Sequence, residues 1–205
     1  MGFTVDGTGN CLIGGVRIVL EGGDQGLCAW SLDGIESGGG IDGLATHRAP
    51  FGASGPGQAA SEGGTDPTTA VAGAHPNGVL TIDHVVVTSP DPDRTIRALQ
   101  AVGLEPRRTR QHGAMRQTFF RLGPVILELV GPLAGPEDQQ QRAPAPGGDG
   151  PARFWGIAFT VADLDATARL LGDRLGGVKD AVQPGRRIAS LRKEAGLAVP
   201  VAFMS

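Results

Sequence analysis

Residues 85–99, VVVTSPDPDRTIRAL, lie over residues 157–171, IAFTVADLDATARLL, without a gap, so that Thr88 meets Thr160 and Asp93 meets Asp165. Self-similarity at a fixed offset means that one supersecondary unit is present twice. In the first copy, Leu80 to Val87 is apolar and β-branched, which predicts a strand. Ser89-Pro-Asp-Pro-Asp then breaks it and supplies helix N-caps. Ile96, Leu99 and Val102 follow at helical spacing with Ala98 beside them, and Gly103 stands where a left-handed residue stops a helix. Three short strands are expected next, at about 105–110, Met115 to Leu122, and Val125 to Val130.

The second copy repeats the order. It predicts a strand from Phe154 to Val161, then a helix from Asp163 or Asp165 carrying Leu164, Ala168, Leu171 and Leu175. Gly176-Gly177 marks its stop, and three further strands follow. The two copies are bounded as βαβββ modules at 79–133 and 153–205. The fold class is α+β, with the paired modules forming a curved sheet or cup.

The remainder reads differently. Residues 12–20 and 27–32 are β-rich runs separated by Glu-Gly-Gly-Asp-Gln-Gly, a hairpin signal within an N-terminal extension over 1–46. An isolated hairpin is marginal in water, so Val16, Ile18 and Trp30 are expected to dock on the larger body or on a partner subunit. Residues 47–78 are Gly, Ala, Pro, Ser and Thr without periodicity and read as a linker, as does 134–152. With 34 Gly and 15 Pro in 205 residues, part of the chain is expected to be irregular.

The formal net charge of −3, with Lys179 and Lys193 the only lysines, leaves no basic field for a phosphate backbone, so nucleic acid is not an expected partner. Cys11 and Cys28 match neither a zinc spacing nor a disulfide framework and read as small, partly buried strand residues. No basic leader precedes an apolar run and no run reaches membrane-spanning length, which predicts a cytoplasmic protein with no membrane partner. The open sheet edges and the docking hairpin predict a homodimer.

A tandem βαβββ repeat whose first strand reads Ile82-Asp83-His84-Val85-Val86-Val87, and whose first module ends Val125-Ile126-Leu127-Glu128-Leu129-Val130, resembles the glyoxalase/bleomycin-resistance/dioxygenase, or vicinal oxygen chelate, superfamily. The resemblance implies a cup lined by both modules. It also implies a divalent metal held by His or Gln and Glu from the first and last strands of each module, here His84 and Glu128. The residues agree in the first module, since His84 interrupts an apolar strand and Glu128 is a lone charge in another. A buried carboxylate demands a cation, an arginine or a proton. One imidazole and one carboxylate form half a shell for Zn, Fe, Mn or Ni. Gly156, however, occupies the place of His84 in the second module, and its last strand offers no donor. Completion is open to Gln117, His112, His47, His75 or a second subunit. For Glu128 the alternative is an ion pair with Arg116 or Arg121.

The expected pocket draws on Val86, Gln117, Phe119, Gly156, Phe159, Val199 and Phe203. Gly156 leaves room for a ligand, and Arg186 or Arg187 stands at the rim to hold an anion. Two functions follow from the resemblance. In one, the protein binds a small molecule in the cup and catalyses metal-dependent lyase, isomerase or dioxygenase chemistry, with Glu128 moving the proton. In the other, it sequesters a small molecule without metal or catalysis. A third reading is a metal-free enzyme in which His84 and Glu128 form an acid–base pair, or a structural subunit of a larger assembly.

Overall fold

The run Val125-Ile-Leu-Glu-Leu-Val alternates buried and half-buried side chains without exception, so one face of its strand is core and the other is not. That alternation orients the whole molecule. The computed structural model describes residues 1–23, 26–35, 39–48, 75–133 and 150–205. Most of both expected linkers, 47–78 and 134–152, lies outside the described residues.

The first module consists of β5 (Val79–Thr88), α1 (Pro92–Ala101), β6 (Pro106–His112), β7 (Met115–Leu122) and β8 (Val125–Pro132). The second consists of β9 (Arg153–Val161), α2 (Leu164–Leu171), β10 (Lys179–Asp180), β11 (Arg187–Ser190) and β12 (Val201–Met204). Their strands form one curved eight-stranded sheet in the order β10-β11-β12-β9-β5-β8-β7-β6. The first strands of the two modules, β5 and β9, pair antiparallel at its centre, and each pairs parallel with the last strand of its own module. The duplication therefore becomes an approximate two-fold relation about the β5–β9 seam.

The helices start where the repeat places aspartates. Asp91 accepts a hydrogen bond from the Arg94 backbone N–H (3.1 Å), and Asp163 accepts from those of Asp165 and Ala166 (2.9 and 3.0 Å). α1 runs to Ala101 as its spacing predicts. α2 is shorter than predicted. It ends at Gly172, where the chain passes into a 3-10 turn over Gly172–Arg174, so Leu175 and Gly176-Gly177 lie beyond it. Both helices cover the same face of the sheet. Val87, Leu99, Phe120, Leu127 and Leu129 form the core beneath α1. Phe159, Phe203, Leu164 and Leu171 form the core beneath α2. Phe203 is fully buried, and burying a side chain of that size is worth about 2–3 kcal/mol.

The N-terminal extension departs from its predicted pairing. The hairpin turns inside the run 12–20, expected to be one strand: β1 (Asn10–Ile13) pairs with β2 (Val16–Val19) around Gly14-Gly15. Both glycines have positive φ, +53° and +84°. A two-residue turn of this hand matches strand twist. The second run instead supplies β3 (Trp30–Leu32), which pairs parallel with β4 (Thr46–Arg48). The extension is thereby divided. Cys11 and Ile13 of the hairpin join the core beneath α2, with Val16 and Ile18 against it. Ile41, Leu44 and Trp30 join the core beneath α1. Cys11 is buried as expected, whereas Cys28 is exposed and lies outside any strand.

Two polar anchors hold these pieces. Asp42 accepts from Arg94 Nε on α1 (2.7 Å) and bonds Thr95. His75, within the stretch predicted as linker, accepts from the Thr4 backbone N–H through Nδ1 (3.1 Å) and meets the Leu12 carbonyl through Nε2 (3.0 Å).

Candidate functional site

The face of the sheet away from the helices carries the side chains that alternation excludes from the core. His84 on β5 lies opposite Ala158 on β9, and Val86 lies between Glu128 on β8 and Gly156 on β9. Glu128 lies opposite Phe119 on β7, with Gln117 two residues along. His84, Val86, Gln117, Phe119 and Glu128 thus share one face of the sheet.

A residue that sequence reasoning missed completes the cluster. In the β5–β9 ladder Ile82 pairs with Phe159 and His84 with Ala158, so Asp83 is the extra residue of a β-bulge. Bulges re-aim side chains. Here the bulge brings Asp83 to the same side as its neighbour, and Asp83 Oδ1 lies 2.8 Å from His84 Nδ1. Thr160 Oγ1 donates to Asp83 Oδ2 (3.1 Å), and Arg186 Nη2 reaches the same oxygen at 2.7 Å. The hydrogen bond from His84, with Arg186 assisting, holds the Asp83 carboxyl well below the usual carboxylate range despite its burial. An ionised carboxylate only accepts, so Nδ1 of His84 carries the shared hydrogen and Nε2 faces the cup.

On the cup side, Nε2 lies 3.7 Å from Glu128 Oε2, too long for a hydrogen bond. Gln117 Nε2 donates to the other Glu128 oxygen at 2.8 Å. Burial pushes the Glu128 carboxyl above its ordinary value, against the pull of His84 and of the Arg110 guanidinium. The side chains of His84 and Glu128 remain 18% and 14% exposed, so the gap between them is open to contact from this face. A single oxygen atom placed about 2.8 Å from both groups fits between them.

The second module does not answer this arrangement. The repeat places Gly156 over His84. By register Ala202 opposes Ala158 on β12 just as Glu128 opposes Val86 on β8. Neither equivalent carries a donor atom. Nor is Gly156 open space: a Cβ built there would sit 2.9 Å from the Pro200 carbonyl oxygen, so glycine is required by a close backbone approach and makes no room for a ligand. The seam bulge recurs at Trp155, the repeat equivalent of Asp83, which is exposed.

Other expected residues also fall elsewhere. Phe159 and Phe203 face the helices and stack on each other with ring centroids 6.0 Å apart, with Phe3 against Phe159 at 5.1 Å. Val199 packs against the same core. The repeat holds the reason: Phe159 corresponds to Val87, not to Val86, so it shares the face of the helix-side residue. Arg186 does stand at the cup, but Asp83 neutralises it. Arg187 points to α2 and pairs with Asp165 (3.0 Å). Arg116 pairs with Asp93 on α1 (2.6 Å) and Arg121 is exposed, so neither is the partner of Glu128. His112 ends an exposed hairpin and His47 is exposed on β4.

The donor set can be tested against a divalent ion. His84 and Glu128 provide two ligands, and Gln117 spends its amide on Glu128. Among the described residues no three His, Cys, Asp or Glu side chains cluster to hold a metal. About three protein donors are usual for a transition-metal site. The described residues of one chain therefore supply half a shell and do not by themselves fit a resident metal.

Fold and site together define a paired βαβββ protein with a cup open on the helix-free face. The chain belongs to the glyoxalase/bleomycin resistance protein/dioxygenase superfamily, whose family model matches residues 83–189. Among solved structures it is similar to a methylmalonyl-CoA epimerase from Mycobacterium tuberculosis, 20% identical, with 62% of this chain and 88% of that one covered and a TM-score of 0.46. It is also similar to a Streptomyces coelicolor methylmalonyl-CoA epimerase, 24% identical, covering 62% and 96%, TM-score 0.45. A hypothetical protein from Bacillus halodurans is 18% identical, covering 60% and 92%, TM-score 0.44. No curated protein matches. Among the described residues no helix is long and apolar enough to cross a membrane.

Proposed function

We propose that this protein binds a small molecule on the concave face between its modules, with His84 and Glu128 as the polar pair that meets it. The observation that carries this reading is the row Asp83–His84–Glu128 on the helix-free face, in which Asp83 holds one imidazole nitrogen at 2.8 Å and the other nitrogen faces Glu128 across a 3.7 Å gap. A bulge dedicated to aligning a carboxylate with an imidazole costs the sheet a ladder bond, and it orients one ring nitrogen toward the cup.

The chemistry follows from what surrounds the two groups. His84 Nε2, with the other nitrogen held by Asp83, is oriented to accept a hydrogen bond or a proton from a ligand, and the Asp83 carboxylate beside the ring offsets positive charge there. Glu128, whose proton is held more firmly because of burial, is the carboxyl on this face suited to give up or take a proton. A ligand oxygen or an acidic C–H set between them is held by the pair, and is open to proton transfer where its own acidity allows. Val86 and Phe119 supply the apolar floor. No step requires a metal from this chain's residues. The reading includes sequestration without turnover, since binding uses the same pair.

The test is elemental analysis and ligand-observed titration of wild type and His84→Ala. The proposal expects no stoichiometric divalent ion, no chelator effect on melting, and ligands that perturb the His84 imidazole resonance and bind more weakly to the variant. One divalent ion per chain or per dimer, lost in His84→Ala, would replace it with the metal-dependent lyase, isomerase or dioxygenase reading, the missing donors coming from beyond the described residues of one chain.

A further inference from the structure

Arg110 is a cup cation for which the described residues provide no ion-paired carboxylate. It lies on β6 opposite Gln117 of β7, on the face shared by Phe119 and Glu128. Its guanidinium carbon sits 5.7 Å from the Phe119 ring centroid, and its Nε is buried without an acceptor among the described residues. The other cup arginine, Arg186, is committed to Asp83 at 2.7 Å. Buried guanidinium donors are normally satisfied, and an orphan in a concave site asks for an acceptor from outside. Stacking on Phe119 holds the planar fork in place, which lowers the ordering cost of a bidentate bond.

We infer that Arg110 is the anchor for the carboxylate of a small apolar acid, whose body lies over Phe119 and Val86 and whose far end reaches His84 and Glu128. This inference rests on the reading of the cup as a small-molecule site and adds the ligand's class and its orientation. β6 is two strands from β8 and three from β5, so the anchor's backbone lies roughly two strand spacings, about 10 Å, from that of Glu128 and about 14 Å from that of His84. A carboxylate with a body of a few carbons spans that distance once the arginine and glutamate side chains lean inward. The opposite orientation is disfavoured because it brings the anion against Glu128.

The test is a titration of full-length protein with aliphatic and aromatic monocarboxylic acids of four to ten carbons, each paired with its primary amide. Binding is read from the Arg110 side-chain and His84 imidazole resonances. The inference expects acids to bind better than their amides, with Arg110→Gln weakening the acids about 10- to 100-fold and leaving the amides unchanged. Arg110→Lys, which retains charge but not the fork, should fall between. Arg97→Gln on the exposed side of α1 removes the same charge far from the cup and should bind as wild type. Amides that bind as well as acids, or acids indifferent to Arg110→Gln, would overturn the inference and leave the cup reading intact. If no member of either series perturbs His84, both readings fail.

Discussion

Asp83 Oδ1 lies 2.8 Å from Nδ1 of His84, the residue next to it in the chain. Regular strands forbid that contact, because successive side chains point to opposite faces. It exists because the β5–β9 ladder slips by one residue between Ile82 and His84. The most polar feature of the cup is thus created by an irregularity in the central seam of the sheet.

Asp83→Asn should be destabilised by on the order of 1–3 kcal/mol at neutral pH, the range for a hydrogen bond to a charged group. A carboxyl whose folded value is depressed contributes stability that is present above its unfolded value, about 4, and lost as pH falls below it. The gap between wild type and variant should therefore narrow between pH 5 and pH 3. Urea melts at the two pH values measure it, and a gap independent of pH would mean that the carboxylate charge is not what holds His84.

Glu128→Gln should behave with the opposite sign. A carboxyl raised by burial favours the folded state below its unfolded value and loses that contribution as pH rises through the folded value. The variant should gain on wild type as pH rises from 4 to 8. Denaturation at both ends of this range decides the matter. A variant that loses ground at pH 8 would show that His84 and Arg110 outweigh burial.

Gly156→Ala should cost roughly 1–3 kcal/mol, the range for overpacking, because the new methyl meets the Pro200 carbonyl oxygen at 2.9 Å. Glycine in a strand interior is ordinarily a weak choice, so a stabilised variant would show that the Pro200 segment yields easily. Introducing histidine at 156 should meet the same obstacle and fail to create a metal site, which elemental analysis of that variant checks.

His75→Ala should cost about 1–3 kcal/mol, since it removes the hydrogen bonds that His75 makes to the Thr4 N–H and the Leu12 carbonyl. Limited proteolysis should then cut ahead of β1 faster than in wild type, while ligand binding at His84 is retained. Unchanged cleavage would show that Phe3, packed on Phe159, suffices to hold the segment.

The sequence by itself determined the duplicated unit, the order of its strands and helices, and the capping aspartates, because these follow from short-range periodicity and backbone preference. The same alternation put His84 and Glu128 on interior strands as lone polar residues. It also held an unread signal: the repeat pairs Phe159 with Val87, which assigns Phe159 to the helix side. What only the tertiary structure decided depends on register between distant strands. A one-residue slip recruits Asp83 and, through it, Arg186. The approach of Pro200 explains Gly156, and the partners of Arg116 and Arg187 lie on helices 22 or more residues away in the chain. Local pattern fixes which face a side chain takes within its strand, whereas pairing across the sheet fixes which side chains meet.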